Sequence, residues 1–220
     1  LHPVVKNLIE RYDPLDADFI DVYPLSTPRM GSDGKQLDIV ITIMAALKRL
    51  GKSVRLVVAN AHANAENEKQ MIKDMETYAA QQGLYANELI FTSLQGKEYE
   101  LGIPREAVSQ LFQLSNLFIF PSRSENCSLI LLEAMLSKTM LVLNEDCPGL
   151  KEFGRDGALY FGFGSQLTTR NYQDKEKYME AQNEFAEITK IKVLDPACGS
   201  GSCLIKAFIL IKEYYERYNT

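Results

Sequence analysis

A chain of 220 residues that is 46% hydrophobic and 24% charged has the composition of an ordinary folded protein, with enough length to bury a sizeable core. Its formal net charge of −5 argues against a general electrostatic grip on a nucleic-acid backbone, so DNA is not an expected partner of this chain alone. No apolar run approaches the roughly 20 residues that cross a bilayer, and Cys127, Cys147, Cys198 and Cys203 offer no CxxC spacing. With two histidines, too few to complete a zinc site, the expectation is free thiols in a reducing cytoplasm and no metal.

The opening stretch, LHPVVKNLIERYDP, has neither an initiating Met nor a signal-peptide pattern and reads as internal to a longer sequence. DFIDVYP (18–24) reads as a strand ending at Pro24, followed by the loop STPRMGSDGK. Leu37, Val40, Ile43, Met44, Leu47 and Leu50 recur with a helical period over 36–51, and Lys48, Arg49 and Gly51 mark the end of that helix. A strand over 53–59 follows, then a helix over 65–83 with an acidic first turn and a Gly stop, and a strand over 88–92. The segment 104–115 predicts a helix with Pro104 in its first position. Residues 116–121 predict a strand, 128–137 a helix, and 139–144 and 157–162 two more strands. Strands alternating with helices in this way imply an α/β fold, a Rossmann-like parallel sheet with helices on both faces. Such sheets bind ligands beyond the C-terminal ends of their strands, which directs attention to STPRMGSDGK and PSRSENC.

In FIFPSRSENCSLILLEAM (118–135) a strand ends at Pro121, a short loop carries Glu125, and a helix beginning near Cys127 or Ser128 carries Glu133. Between the carboxylates, the helix N-terminus offers unpaired N–H groups and a positive dipole end, which suit a diphosphate. Two carboxylates suit the hydroxyls of a sugar and a ribose. Two other candidates read as structural: Asp16 and Asp18 of DAD form a surface turn before the first strand, and His62 sits in an exposed polar loop.

On the strand, the PS, the Glu-x7-Glu spacing and LLEAM, the chain resembles the group 1 family of retaining glycosyltransferases over about 1–165. These enzymes are built from two Rossmann-like domains, the GT-B fold. VYPLSTPRMGSDGKQLDIVITIMAALK looks like the first strand, basic loop and first helix of the family's donor-binding half, and GRDGALYFGFGS looks like its ending. The resemblance implies a nucleotide-sugar donor, an acceptor of unknown identity, and an acceptor site in a separate N-terminal domain for which this chain has no room. It implies that Glu125 holds hydroxyls of the transferred sugar, that Glu133 holds the ribose, and that backbone amides of Asn126, Cys127, Ser128 and Leu129 face the diphosphate. It further implies that Arg29 and Lys35 neutralise the leaving diphosphate, a task two cations perform without a metal or other cofactor. The chain departs from the family at Asn126-Cys127-Ser128, where glycine-rich residues are usual, and at Lys138, where Gly is frequent.

Residues 166–185 are polar and charged and read as a helix or a linker. In VLDPACGSGSCLI (193–205) a strand delivers Asp195 to a turn of small residues, Pro196, Ala197, Cys198, Gly199, Ser200 and Gly201, before a second helix. This segment resembles motif I of the adenine-N6 DNA methyltransferases of restriction-modification systems over about 186–218. The resemblance implies S-adenosylmethionine at the turn, with Asp195 near the methionine ammonium. The next acidic element of that family would fall beyond Thr220, and the chain contains no Pro-Pro, so a truncated fragment over 186–220 without methyl transfer is expected. Three functional readings remain open: a nucleotide-sugar-binding half of a cytoplasmic hexosyltransferase, with any membrane association residing in the other domain; a non-catalytic Rossmann-like binding domain; and a methyltransferase fragment.

Overall fold

A computed structural model describes residues 1–31, 34–125 and 128–163. In chain order its elements are α1 (Pro3–Tyr12), β1 (Phe19–Ser26), α2 (Leu37–Arg49), β2 (Val54–Ala61), α3 (Glu66–Gln82), β3 (Leu89–Phe91), α4 (Arg105–Leu114), β4 (Leu117–Phe120), α5 (Leu129–Leu136), β5 (Met140–Asn144), α6 (Pro148–Gly154) and β6 (Ala158–Phe161). The six strands form one parallel sheet in the order β3-β2-β1-β4-β5-β6. This is the α/β, Rossmann-like architecture expected from the alternating pattern.

Strands covered on both faces need apolar side chains on both, so they read as continuous hydrophobic runs. All four residues of β4 are buried, as are six of the eight in β2. Successive strands run outward from β1 in two opposite directions, and right-handed crossovers therefore put α2 and α3 on one face and α5 and α6 on the other. Leu8 of α1 and Leu111 and Leu114 of α4 line a small apolar cavity with Ile20, Val22, Val57 and Ile90, so α1 and α4 lie together on one face of the sheet. Phe112, Phe118 and Phe120 pack in series with centroids 5.6 and 5.2 Å apart, and Tyr23 lies 6.2 Å from Phe120.

Three details differ from the sequence reading. β1 continues through Pro24 to Ser26. Ile20 both accepts from and donates to Asn116, so the backbone of alternate residues faces β4; at Pro24 the missing N–H faces that same side, where the only registered pair is Asp21 with Leu117. Pro104 is the N-cap of α4, and Arg105 is its first residue. Helices α1 and α6 occupy stretches to which periodicity assigned no element; α6, at seven residues, is too short to display a period.

The seam between β1 and β4 is where the strand order reverses. Asn116 closes its lower end, its side chain accepting from Ile20 N–H at 2.9 Å and donating to the Asp18 carbonyl at 2.9 Å. Higher up, the Asp21 carboxyl accepts from Ile119 N–H at 3.3 Å. Beyond this point the strands part, and the loops after β1 and β4 face each other.

Candidate functional site

The loop after β1 is tied down at its start. The Thr27 hydroxyl donates to the Ala61 carbonyl at 2.8 Å and accepts from Asn60 Nδ2 at 3.1 Å, and Asn60 also donates to Ser93 Oγ at 2.8 Å. The loop then folds back: Lys35 N–H donates to the Arg29 carbonyl at 2.7 Å and Leu37 N–H to the Met30 carbonyl at 3.3 Å. This closure requires glycine at position 34, where a Cβ would lie 2.3 Å from the Arg29 carbonyl oxygen. The consequence is that Lys35 turns inward and is only 6% exposed.

The Lys35 ammonium forms an ion pair with Glu125 Oε1, and its Nζ sits 4.7 Å from the centroid of the Phe120 ring. The Tyr23 hydroxyl donates to the Lys35 carbonyl. Glu125 Oε1 accepts a second bond from Ser122 Oγ at 2.7 Å. The loop after β4 is itself braced: Asn144 Nδ2 is shared between the carbonyls of Pro121 and Ser122, at 3.4 and 3.3 Å. The buried Gln36 amide, in the orientation that satisfies both its ends, donates to the Pro121 carbonyl and accepts from Arg123 Nε at 2.8 Å. The side chains of Lys35 and Glu125 are 7% and 13% exposed, so the ion pair is largely desolvated. Such a pair holds its loops in register, because parting it strands a charge in poorly hydrated surroundings.

The other candidates are distributed around this pair. Arg29 is exposed and forms no ion pair among the described residues. Asn126 and Cys127 lie outside the described residues. Ser128 is buried and caps α5, its Oγ accepting from Leu131 N–H at 3.3 Å, while Leu129 is exposed. Glu133 makes no hydrogen bond or ion pair with the Lys35 cluster; its Oε1 accepts from Arg105 Nε at 3.1 Å and Nη2 at 2.8 Å. Asp195, Pro196, Ala197, Cys198, Gly199, Ser200 and Gly201 lie outside the described residues, as do 166–185. Asp18 is bonded to Ser53 N–H at 2.8 Å, and His62 is exposed with a φ of 58°. Lys138, at the position where the family often has Gly, has a φ of 61°, in the left-handed region.

Sequence reasoning missed several neighbours of the site: Tyr23, Gln36, Phe120 and Arg105 were given no role, and Ser122 entered only as part of the PS that marks the motif. It also missed two buried acids. Burial pushes the Asp21 carboxyl well above the usual carboxylate range, opposed by the Ile119 N–H, and Oδ1 has no hydrogen-bond partner among the described residues. Burial also raises Asp38, in the first turn of α2, against the lowering effect of backbone N–H groups and of Arg123. Tyr23 is raised by burial first, then by the nearby Asp21 and Glu125.

Chemically, a largely buried ammonium and a carboxylate stand at the strand-order reversal, with an exposed arginine on the same loop as the lysine and a helix start just after the carboxylate. The set can answer negative charge and accept from hydroxyls. Among the described residues there is no cluster of His, Cys, Asp and Glu able to hold a metal, and no helix long and apolar enough to cross a membrane.

The fold is an α/β parallel sheet whose strand order reverses between β1 and β4, the kind of place where such sheets take their ligands. The chain belongs to the glycosyl transferases group 1 family, whose model matches residues 25–186. The match stops short of the turn at 193–205. No curated protein matches the chain significantly. Among solved structures, it is similar to an E. coli trehalose-6-phosphate structure bound with UDP-2-fluoro glucose, with a TM-score of 0.56, 12% identity, and coverage of 94% of this chain and 43% of that one. It is similar to the UDP-forming alpha,alpha-trehalose-phosphate synthase of Burkholderia vietnamiensis, with a TM-score of 0.55, 14% identity, and coverage of 96% and 47%. It is also similar to WaaG, a glycosyltransferase involved in lipopolysaccharide biosynthesis, with a TM-score of 0.55, 13% identity, and coverage of 100% and 48%. At such identities the likeness is one of fold, and the chain spans less than half the length of each of these proteins.

Proposed function

We propose that this chain is the donor-binding half of a retaining hexosyltransferase and that it binds a nucleotide-sugar in the cleft between the loops after β1 and β4. The observation that carries this reading is the Lys35–Glu125 pair, which joins those two loops at the strand-order reversal. In this reading Glu125 accepts from hydroxyls of the sugar, and Lys35 and Arg29 take the negative charge that grows on the diphosphate as the glycosidic bond breaks. Amides from Asn126 to Leu129 face the diphosphate at the start of α5. Glu133 accepts from the ribose. Two cations answer the leaving group, so no metal is required. The acceptor is bound by a second domain, and the complete enzyme transfers the sugar with retained configuration. The UDP-2-fluoro glucose in the E. coli structure makes UDP-glucose the first donor to try.

Isothermal titration of the chain with UDP-, GDP- and ADP-glucose tests the proposal. Binding of at least one, weakened by Glu125→Gln and by Glu133→Ala, supports it. No binding by the parent chain at millimolar donor, or binding indifferent to both substitutions, overturns it.

A second reading, a binding domain without catalysis, is favoured by one observation: Glu125 already answers the Lys35 charge within the fold, as an internal clamp would. Donor binding with no transfer once an acceptor domain is supplied would select it. A third attaches to the turn at 193–205, which the family match leaves out. There S-adenosylmethionine would be bound without methyl transfer to DNA, and labelled cofactor tests both parts.

A further inference from the structure

Arg105 is the first residue of α4, where the helix dipole is positive and acidic side chains are the suitable ones. Pro104 before it makes no side-chain cap, and the acidic residue of this first turn is Glu106, not the arginine. Its side chain instead crosses to α5. Nε and Nη2 both donate to Glu133 Oε1, at 3.1 and 2.8 Å. A guanidinium has five N–H groups, and this geometry uses two. The Arg105 side chain is 77% exposed and that of Glu133 25%, so the remaining donors face water. Glu133 Oε2 makes no hydrogen bond among the described residues.

The pair therefore presents a free acceptor oxygen beside free donors. That edge complements a vicinal diol, in which one hydroxyl donates while its neighbour accepts. We propose that Arg105 is a positioning and specificity residue of the donor site: it holds Glu133 through Oε1, so that Oε2 and the unused N–H groups together recognise the 2′- and 3′-hydroxyls of a ribose. This inference rests on the nucleotide-sugar reading and adds to it a residue outside the Glu-x7-Glu pattern. It makes the site selective for ribonucleotides over deoxyribonucleotides through the arginine as well as the carboxylate.

The test is titration of the 220-residue chain with UDP and with 2′,3′-dideoxy-UDP, for the parent, Arg105→Ala, Arg105→Lys and Glu133→Gln. In the parent, UDP binds more tightly than its dideoxy analogue. Arg105→Ala weakens UDP by about fivefold, the scale of an exposed charge pair, and leaves the dideoxy analogue nearly unchanged, so the preference shrinks. Arg105→Lys, which keeps the charge and loses the fork, falls between. Glu133→Gln shrinks the same preference, and its effect is not additive with that of Arg105→Ala. A parent chain that binds neither ligand, nor GDP or ADP, overturns the nucleotide-sugar reading and this inference with it. A parent that prefers UDP, with the preference intact in Arg105→Ala, overturns this inference alone. An equal loss for both ligands reduces Arg105 to a general electrostatic contribution and likewise overturns it.

Discussion

Glu125 and Glu133 are separated by seven residues and belong to one spacing, yet the fold gives them opposite surroundings. Glu125 sits in a loop, 13% exposed, against a lysine 90 positions away, with a serine on the same oxygen and an aromatic ring under the cation. Glu133 sits on a regular helix, 25% exposed, held by an arginine whose side chain is 77% in water. The difference teaches that the loop carboxylate is part of what holds the β1 and β4 loops together. The helical one is held at the surface by an exposed guanidinium that has further donors to offer.

The largest expected effect comes from removing the cation at the buried carboxylate. Lys35→Ala leaves Glu125 with one hydroxyl partner in a desolvated site and should destabilise the chain by about 3 kcal/mol, read by chemical denaturation. Replacing both partners, as Lys35→Met with Glu125→Gln, should recover part of that loss, because the uncompensated charge is gone. The comparison breaks if Lys35→Ala costs no more than the equivalent deletion at Glu133.

Next in size is Asp21, in the seam beneath the Lys35 pair. Its folded pKa is raised above its unfolded value, so the folded chain holds that proton more tightly than the unfolded one. Stability then falls as pH rises from the ordinary carboxylate range toward the raised folded value. Asp21→Asn escapes this loss. It should be more stable than the parent at pH 8, on the order of 1–2 kcal/mol, with the advantage shrinking toward pH 4. Thermal melts at the two pH values check it; an advantage that grows toward low pH would reverse the assignment.

Lys138 ends the helix that carries Glu133 and pays a left-handed φ of 61° with a side chain. Lys138→Gly should stabilise by about 0.5–1 kcal/mol, the relief of the Cβ clash less the added freedom of the unfolded chain. Smallest is Arg105→Ala, which should change stability by no more than about 0.5 kcal/mol, since an exposed pair contributes little to folding. The contrast between this value and that for Lys35→Ala is the sharpest measure of the difference between the two carboxylates.

Much of the fold was legible before the structure. The helix expected over 36–51 is Leu37–Arg49, and the one over 65–83 is Glu66–Gln82, because both are long enough to show a period and both end at glycine. Gly51 and Gly83 indeed take φ of 81° and 94°. The short α6 was not legible, nor was the run of β1 through Pro24, which depends on where its neighbouring strand stops pairing. At the site, Lys35 and Glu125 were each named from sequence but assigned to different parts of a ligand, and nothing in the spacing joined them. Arg105 left one readable trace, a basic residue in a first helical turn that favours acids.

What the sequence determined by itself was the alternation of strands and helices, the places where loops meet strand ends, and the family to which the chain belongs. These are local matters of periodicity, glycine placement and motif, carried within a few dozen consecutive residues. Only the tertiary structure decided which charges meet. Lys35 reaches Glu125 because β1 and β4, far apart in the chain, lie side by side where the strand order reverses, and because Gly34 lets the intervening loop fold back on the Arg29 carbonyl. Pairing of that kind is set by sheet order and backbone approach, which no spacing along the sequence records.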